Sequence, residues 1–156
     1  MLKIKDGKVY GSNYSFDLPK GFDRVEGLSC FREDDLVFTS LDNNYLNLVI
    51  YFEKESHSAK NDMQAMLNKN KSLIKMGDFI SVKRGAGVGV GLFYENTFGA
   101  TQHYGERYDF KKNEDGVTQI FIDVSLWSGR GEDRQTIQEA VKLPQVKAFL
   151  ESIEYF

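Results

Sequence analysis

Few residues in this sequence have the chemistry of a catalyst, and their spacing limits what they can do together. A thiol–imidazole pair would draw on the single cysteine, Cys30, and on the two histidines, His57 and His103. Nothing in the sequence brings these together, and Cys30 lacks a helix start or flanking cation to lower its pKa. It reads as an ordinary half-buried cysteine. Neither histidine has a short-spaced partner ligand, so no metal site is predicted, and no cofactor. His103, Arg107 and Asp109 share one parity along a strand, as do Asp123 and Ser125 on the next. Such a cluster is either the acid–base site of a small hydrolase or cross-strand ion pairing on a solvated sheet. Glu33-Asp34-Asp35 and Glu132-Asp133 read as solvated loop charges.

Two further patterns point to contact rather than chemistry. The run Gly85-Ala-Gly-Val-Gly-Val-Gly91 fits neither a dinucleotide fingerprint, since Val90 stands where the third Gly is needed, nor a P-loop. In a strand, Gly85, Gly87, Gly89 and Gly91 leave one face bare, while Val88, Val90 and Leu92 fill the other. A bare face admits another backbone or a flat ligand, or a helix packed directly upon it. Tyr45, Tyr51, Phe93, Phe121 and Trp127 also share a face by parity, beside those glycines. Exposed, they would anchor a protein interface; otherwise the C-terminal helix buries them.

The elements that must position these residues are legible from periodicity. Asp6-Gly7 is a hairpin turn between Leu2–Lys5 and Lys8–Tyr10. Tyr14–Leu18 alternates and stops at Pro19, and Leu36–Leu41 is a short apolar run. Tyr45–Phe52 is a clear strand with Leu46, Leu48, Ile50 and Phe52 on one side. Ser58 caps a helix whose stripe runs Ala59, Met63, Met66, Leu67, Asn70, Leu73, Ile74, with Gly77 ending it. Four period-two runs follow, Phe79–Arg84, Val88–Phe98, His103–Lys111 and Val117–Trp127, suggesting an antiparallel meander. A short helical stretch at Thr136–Lys142 precedes a second helix opened by Pro144 and striped by Val146, Phe149, Leu150 and Ile153. Parity assigns Leu46, Ile50, Val90, Leu92, Ile122 and Val124 to the inner sheet face. These elements predict an α+β domain spanning residues 1–156. Its mostly antiparallel sheet would have about six to seven strands, with helices on both faces in a three-layer α/β/α sandwich.

Composition narrows the class. The 156 residues are 41 % hydrophobic and 13 % aromatic, enough for a core. The net charge of −3, without a Lys/Arg block, argues against a nucleic-acid partner. One cysteine forms no intrachain disulfide. No run approaches the roughly 20 apolar residues of a membrane span. Leu28-Ser29-Cys30 lacks the preceding hydrophobic region of a lipoprotein cleavage site, and Gly27 stands where a Leu is wanted. The cytoplasm is the expected compartment, a mature form stripped of its leader being the alternative.

The segment Tyr14-Ser15-Phe16-Asp17-Leu18-Pro19-Lys20-Gly21-Phe22 resembles the opening of the PsbP/DcrB-like proteins. The strand-then-helix unit and the terminal Phe149-Leu150-Glu151-Ser152-Ile153-Glu154-Tyr155 are similar to that superfamily's layout. The resemblance implies an α/β/α sandwich that binds other proteins rather than doing chemistry. Its members range from a photosystem accessory subunit to a nuclear-transport cofactor and chaperones for secreted bacterial effectors, so it supplies no functional residues. The resulting expectation is a non-enzymatic adaptor or chaperone-like domain, monomer or homodimer, recognising a partner protein segment on its sheet. The alternative is a small hydrolase using His103, Arg107 and Asp109.

Overall fold

The computed structural model describes residues 3–32, 34–54, 58–109, 119–127 and 135–156. Among the described residues twelve strands form two sheets, accompanied by three helices. The smaller sheet begins with the hairpin of β1 (Lys3–Lys5) and β2 (Lys8–Tyr10). Its turn has Asp6 at φ 54° and Gly7 at φ 73°, the left-handed pair that two-residue hairpins need. β3 (Tyr14–Asp17) pairs with β2, and β12 (Glu154–Tyr155) closes the sheet in the order β1-β2-β3-β12.

The larger sheet contains β4 (Phe22–Val25), β5 (Leu36–Ser40), β6 (Leu46–Glu53), β7 (Leu73–Lys75), β8 (Ile80–Arg84), β9 (Gly87–Asn96), β10 (Thr101–Tyr108) and β11 (Gln119–Trp127). It runs in the order β4-β5-β6-β11-β10-β9-β7, and β8 also pairs with β9. All pairings between strands are antiparallel. The expected meander of four runs is present as β8-β9-β10-β11. The class is α+β. Twelve strands in two sheets replace the single sheet of six to seven expected above: the N-terminal runs form a sheet of their own, β4 and the two-residue β12 are too short to announce themselves, and β7 lies in what reads as the end of a helix stripe.

α1 (Ala59–Lys69) begins at Ser58, whose hydroxyl accepts from Asn61 N–H at 3.2 Å. It ends earlier than its stripe suggests. The Asn70 side chain accepts from both Ser72 N–H and Ser72 Oγ–H, which competes with another helical turn. Leu73 and Ile74 therefore enter β7 instead of the helix. α1 lies against β7, β9 and β10, burying Met63 and Leu67 with Leu92, Tyr94 and Phe121.

α2 (Ile137–Ala140) and α3 (Pro144–Ser152) pack on the opposite face together with the smaller sheet. Val146, Phe149, Leu150 and Ile153 are buried there, as their stripe predicts, and Phe149 meets Phe16 edge to face at 5.9 Å. The helices are few and short, at 11, 4 and 9 residues. Much of the cover on this face comes from strand residues such as Val9, Tyr14, Phe16 and Tyr155. Among the described residues no helix is long and apolar enough to cross a membrane.

Candidate functional site

Register sorts the sequence candidates onto two different faces. Trp127, Phe121 and Asp123 on β11 share the α1 side with Tyr51 on β6 and with His103 and Arg107 on β10. Phe93 does not join them. It pairs with Tyr104, which pairs with Val124 and so with Leu48 on the α3 side. The turn joining Asn96 to Thr101 pairs an even residue with an odd one, which exchanges parity between β9 and β10. For the same reason Val90 and Leu92 face α1 rather than sharing a face with Leu46, Ile50, Ile122 and Val124. The glycines follow Phe93, so the aromatic face and the bare glycine face lie on opposite sides of the sheet.

The bare side of the glycine run is approached by the chain itself. A Cβ on Gly87 would meet the Tyr155 ring at 2.8 Å, and one on Gly91 would strike the Tyr104 phenol. Gly89 lies against the backbone of Arg107 and Tyr108. Gly85, at φ 60°, bridges Tyr155 where β8 turns into β9.

Beneath this run sits a polar cluster that sequence inspection missed. Glu106 is 0 % exposed and receives four donors. Arg84 Nε and Nη2 reach it at 2.8 and 3.1 Å, and the Tyr104 and Tyr108 hydroxyls donate to its two oxygens at 2.6 Å each. Burial acts against the Arg84 charge, yet the Glu106 carboxylate more than offsets it and holds the guanidinium above its ordinary pKa. The available signal was a lone acid at alternate positions between two tyrosines on a buried strand face.

On the α1 side, His103 is central. Its Nδ1 lies 3.1 Å from Asp123 Oδ2, its Nε2 2.7 Å from Thr101 Oγ1, and its ring stacks on Tyr94 at 4.8 Å. Tyr94 donates to Asp123 Oδ1 at 2.8 Å. Burial lowers the imidazole pKa, but the Asp123 carboxylate outweighs it and the net shift is upward. Burial, reinforced by Asp123, pushes the Tyr94 phenol well above its usual range. The stability from His103–Asp123 is therefore fully present below the ordinary histidine pKa and lost as pH rises through the raised folded value. Melting His103→Gln beside the parent across that window should show the difference between them shrinking as pH rises. A difference constant with pH would refute the pairing.

Arg107 and Asp109 take other work. Arg107 lies 4.1 Å over the Phe121 ring and donates to Gln119 Oε1 at 3.1 Å; burial pulls its pKa down. Asp109 Oδ1 accepts from the Ala59 N–H at 3.1 Å and so fastens the start of α1 to β10. The expected trio of His103, Arg107 and Asp109 is thus divided, and Asp123 is the carboxylate that His103 meets. Cys30 is exposed rather than half-buried. His57, Glu33, Glu132 and Asp133 lie outside the described residues. Among the described residues no group of three or more His, Cys, Asp or Glu side chains is placed to hold a metal ion.

The aromatics divide as well. Tyr51 stacks on Phe121 at 5.5 Å and meets Phe31 at 6.3 Å, and Phe121 is buried. Tyr45 and Trp127 form a separate pair, 4.9 Å apart and 49 % and 41 % exposed. On this face Phe121 is the β11 residue that clusters with the buried side chains of α1, and the next row beside the Tyr–Trp pair holds Ser125 and Asn47.

No protein-family model and no curated protein sequence matches the chain. Among solved structures it is similar to the solution structure of cyanobacterial PsbP (CyanoP) from Synechocystis sp. PCC 6803. That likeness covers 93 % of this chain and 88 % of that one, at 16 % identity and a TM-score of 0.58. A crystal structure from Bacteroides thetaiotaomicron VPI-5482 is 14 % identical, covering 92 % of this chain and 45 % of that one at a TM-score of 0.44. With β3, the central strand–helix unit and the C-terminal segment placed as described, the chain has a PsbP-like fold.

Proposed function

We propose that the chain is a non-enzymatic binding module, adaptor or chaperone-like, that takes a segment of a partner protein on its sheet surface around Tyr45 and Trp127. The observation behind this reading is the half-exposed Tyr–Trp pair at the end of a sheet face that α1 covers only in part. Tyr and Trp supply large contact area at low entropic cost and dominate interface hot spots. Ser125 and Asn47 offer hydrogen bonds in the adjoining row. The fold itself does not choose a role. With one cysteine, a reducing compartment such as the cytoplasm suits the chain.

A partner captured from native lysate should be lost with Trp127→Ala and kept with Tyr10→Ala, an equally exposed aromatic on β2. The expected weakening is about 2 kcal/mol, on the order of thirty-fold, with only a modest fall in melting temperature. Undiminished capture would overturn the reading. So would a stability loss of the size that a buried tryptophan brings.

The series Thr101–His103–Asp123 favours a second reading, a small hydrolase. In it Asp123 orients His103, which takes the proton from the Thr101 hydroxyl as that oxygen attacks an ester and gives it to the alkoxide that departs, water then freeing the acyl group from Thr101. His103→Ala separates the two: it leaves capture intact under the first reading and removes ester turnover under the second.

A further inference from the structure

We propose that an open groove on the α3 side of β8 and β9 binds an amphiphilic carboxylate, a single alkyl chain of medium length ending in a free acid. The groove has a volume of about 600 Å³ and lies between those strands and the corner where α2 meets α3. Clefts of this size are the usual hosts of small ligands.

Register puts its strand residues on one face. Ile80 pairs with Gly91, and Gly91 with Glu106, so Ile80 and Arg84 share a side with Tyr104 and Phe93. This is the opposite face from Tyr45 and Trp127. Phe93 and Tyr104 meet at 4.9 Å between ring centres, and Val141 and Leu150 supply the wall across from Ile80. Ile80 is 44 % exposed, an apolar side chain left in water beside this wall. An alkyl chain laid along the groove removes that surface from water.

The polar groups select the other end of the ligand. Arg84, Lys142 and Lys147 line the groove with one acid, Glu151, in a chain whose net charge is −3. Lys147 faces Glu151 at 3.9 Å, whereas Lys142 has no ion-pair partner among the described residues. Glu106 balances the Arg84 charge and engages its Nε and Nη2, which holds the guanidinium in place and leaves Nη1 to donate elsewhere. Lys142 therefore provides the net attraction and Arg84 a fixed donor. A carboxylate answers both, and its tail answers the apolar walls. An alkyl cation meets the wrong sign, and a small polyanion leaves the walls uncovered.

The probe is decanoate, titrated into the whole chain by calorimetry at neutral pH and low salt, below its micelle concentration. Saturable one-to-one binding is expected. Each methylene drawn out of water is worth up to about four-fold, so decanoate should bind on the order of ten-fold tighter than octanoate. Methyl decanoate and decyltrimethylammonium, which lack the acid, should each bind at least about ten-fold more weakly. Lys142→Glu and, separately, Ile80→Asp should weaken decanoate by about ten-fold or more. Both alter exposed side chains, and should Ile80→Asp fold poorly, Lys142→Glu decides alone. The proposal is overturned if no saturable binding is seen, if the ester or the alkyl cation binds as decanoate does, or if the variants bind as the parent does. Trp127→Ala should bind decanoate unchanged, so this site and the Tyr–Trp surface stand or fall separately.

Discussion

Glu106→Ala should cost about 3–5 kcal/mol, a large share of the stability of an ordinary domain. The carboxylate is fully buried and every one of its donors comes from a side chain held in place by the sheet. Removing it leaves the buried Tyr104 and Tyr108 hydroxyls without an acceptor and the partly exposed Arg84 guanidinium without its partner. Breaking one member of a buried ion pair is costlier than replacing both by apolar groups of similar size. Arg84→Met with Glu106→Leu should therefore recover only the part of that loss due to the stranded Arg84 charge, since the Tyr104 and Tyr108 hydroxyls still lack their acceptor. Urea unfolding of the two variants beside the parent is the measurement. A cost below about 1 kcal/mol for Glu106→Ala would show that this cluster does not hold the sheet together.

Phe149→Ala should destabilise by about 3–5 kcal/mol, on the order of 10 °C in melting temperature. Its ring is 2 % exposed and packs against Phe16 of β3, so it joins α3 to the smaller sheet rather than filling space within one element. The void cannot collapse without moving β3, whose N-terminal partners follow it. Thermal melting checks the size of the effect, and the urea slope checks its reach. A fall in slope would show that the smaller sheet detaches with the ring. Melting within a degree or two of the parent would mean that α3 is not docked.

What could be read in the residues was mostly local. Hairpin chemistry at Asp6-Gly7, the cap at Ser58, Pro144 opening α3 and the α3 stripe all depend on neighbours within a few positions, and each stands where expected. The failures are of a different kind. Parity along β9 was clear, but its transfer to β10 depends on the turn, so Phe93, Val90 and Leu92 were put on the wrong faces. The α1 stripe runs on through Ile74 because β7 and α1 both present apolar side chains to the same layer, and only the Asn70 hydrogen bonds separate them. Asp109 carried no sign that it would serve a helix 50 positions earlier. Glu106 escaped notice because an acid between tyrosines also fits a solvated strand. The PsbP-like resemblance succeeded because it rests on element order, which register errors do not disturb.

The meeting of β3 with β12 has a consequence for how the molecule is assembled. Asp17 N–H donates to Ser152 Oγ across 135 positions of sequence, and Tyr155 bridges Gly85 while pairing with Tyr14. Closing so long a loop from an open chain yields few contacts for the entropy lost, whereas the β9-β10-β11 meander needs only short excursions. The meander is then the natural nucleus, and the β3–β12 seam a late event that waits for α3 to arrive on the larger sheet. Run in reverse, the same seam is the first to part. Amide protons of Ser15 and Tyr155 would exchange through partial openings, while those of Ile122 and Val124 report global unfolding.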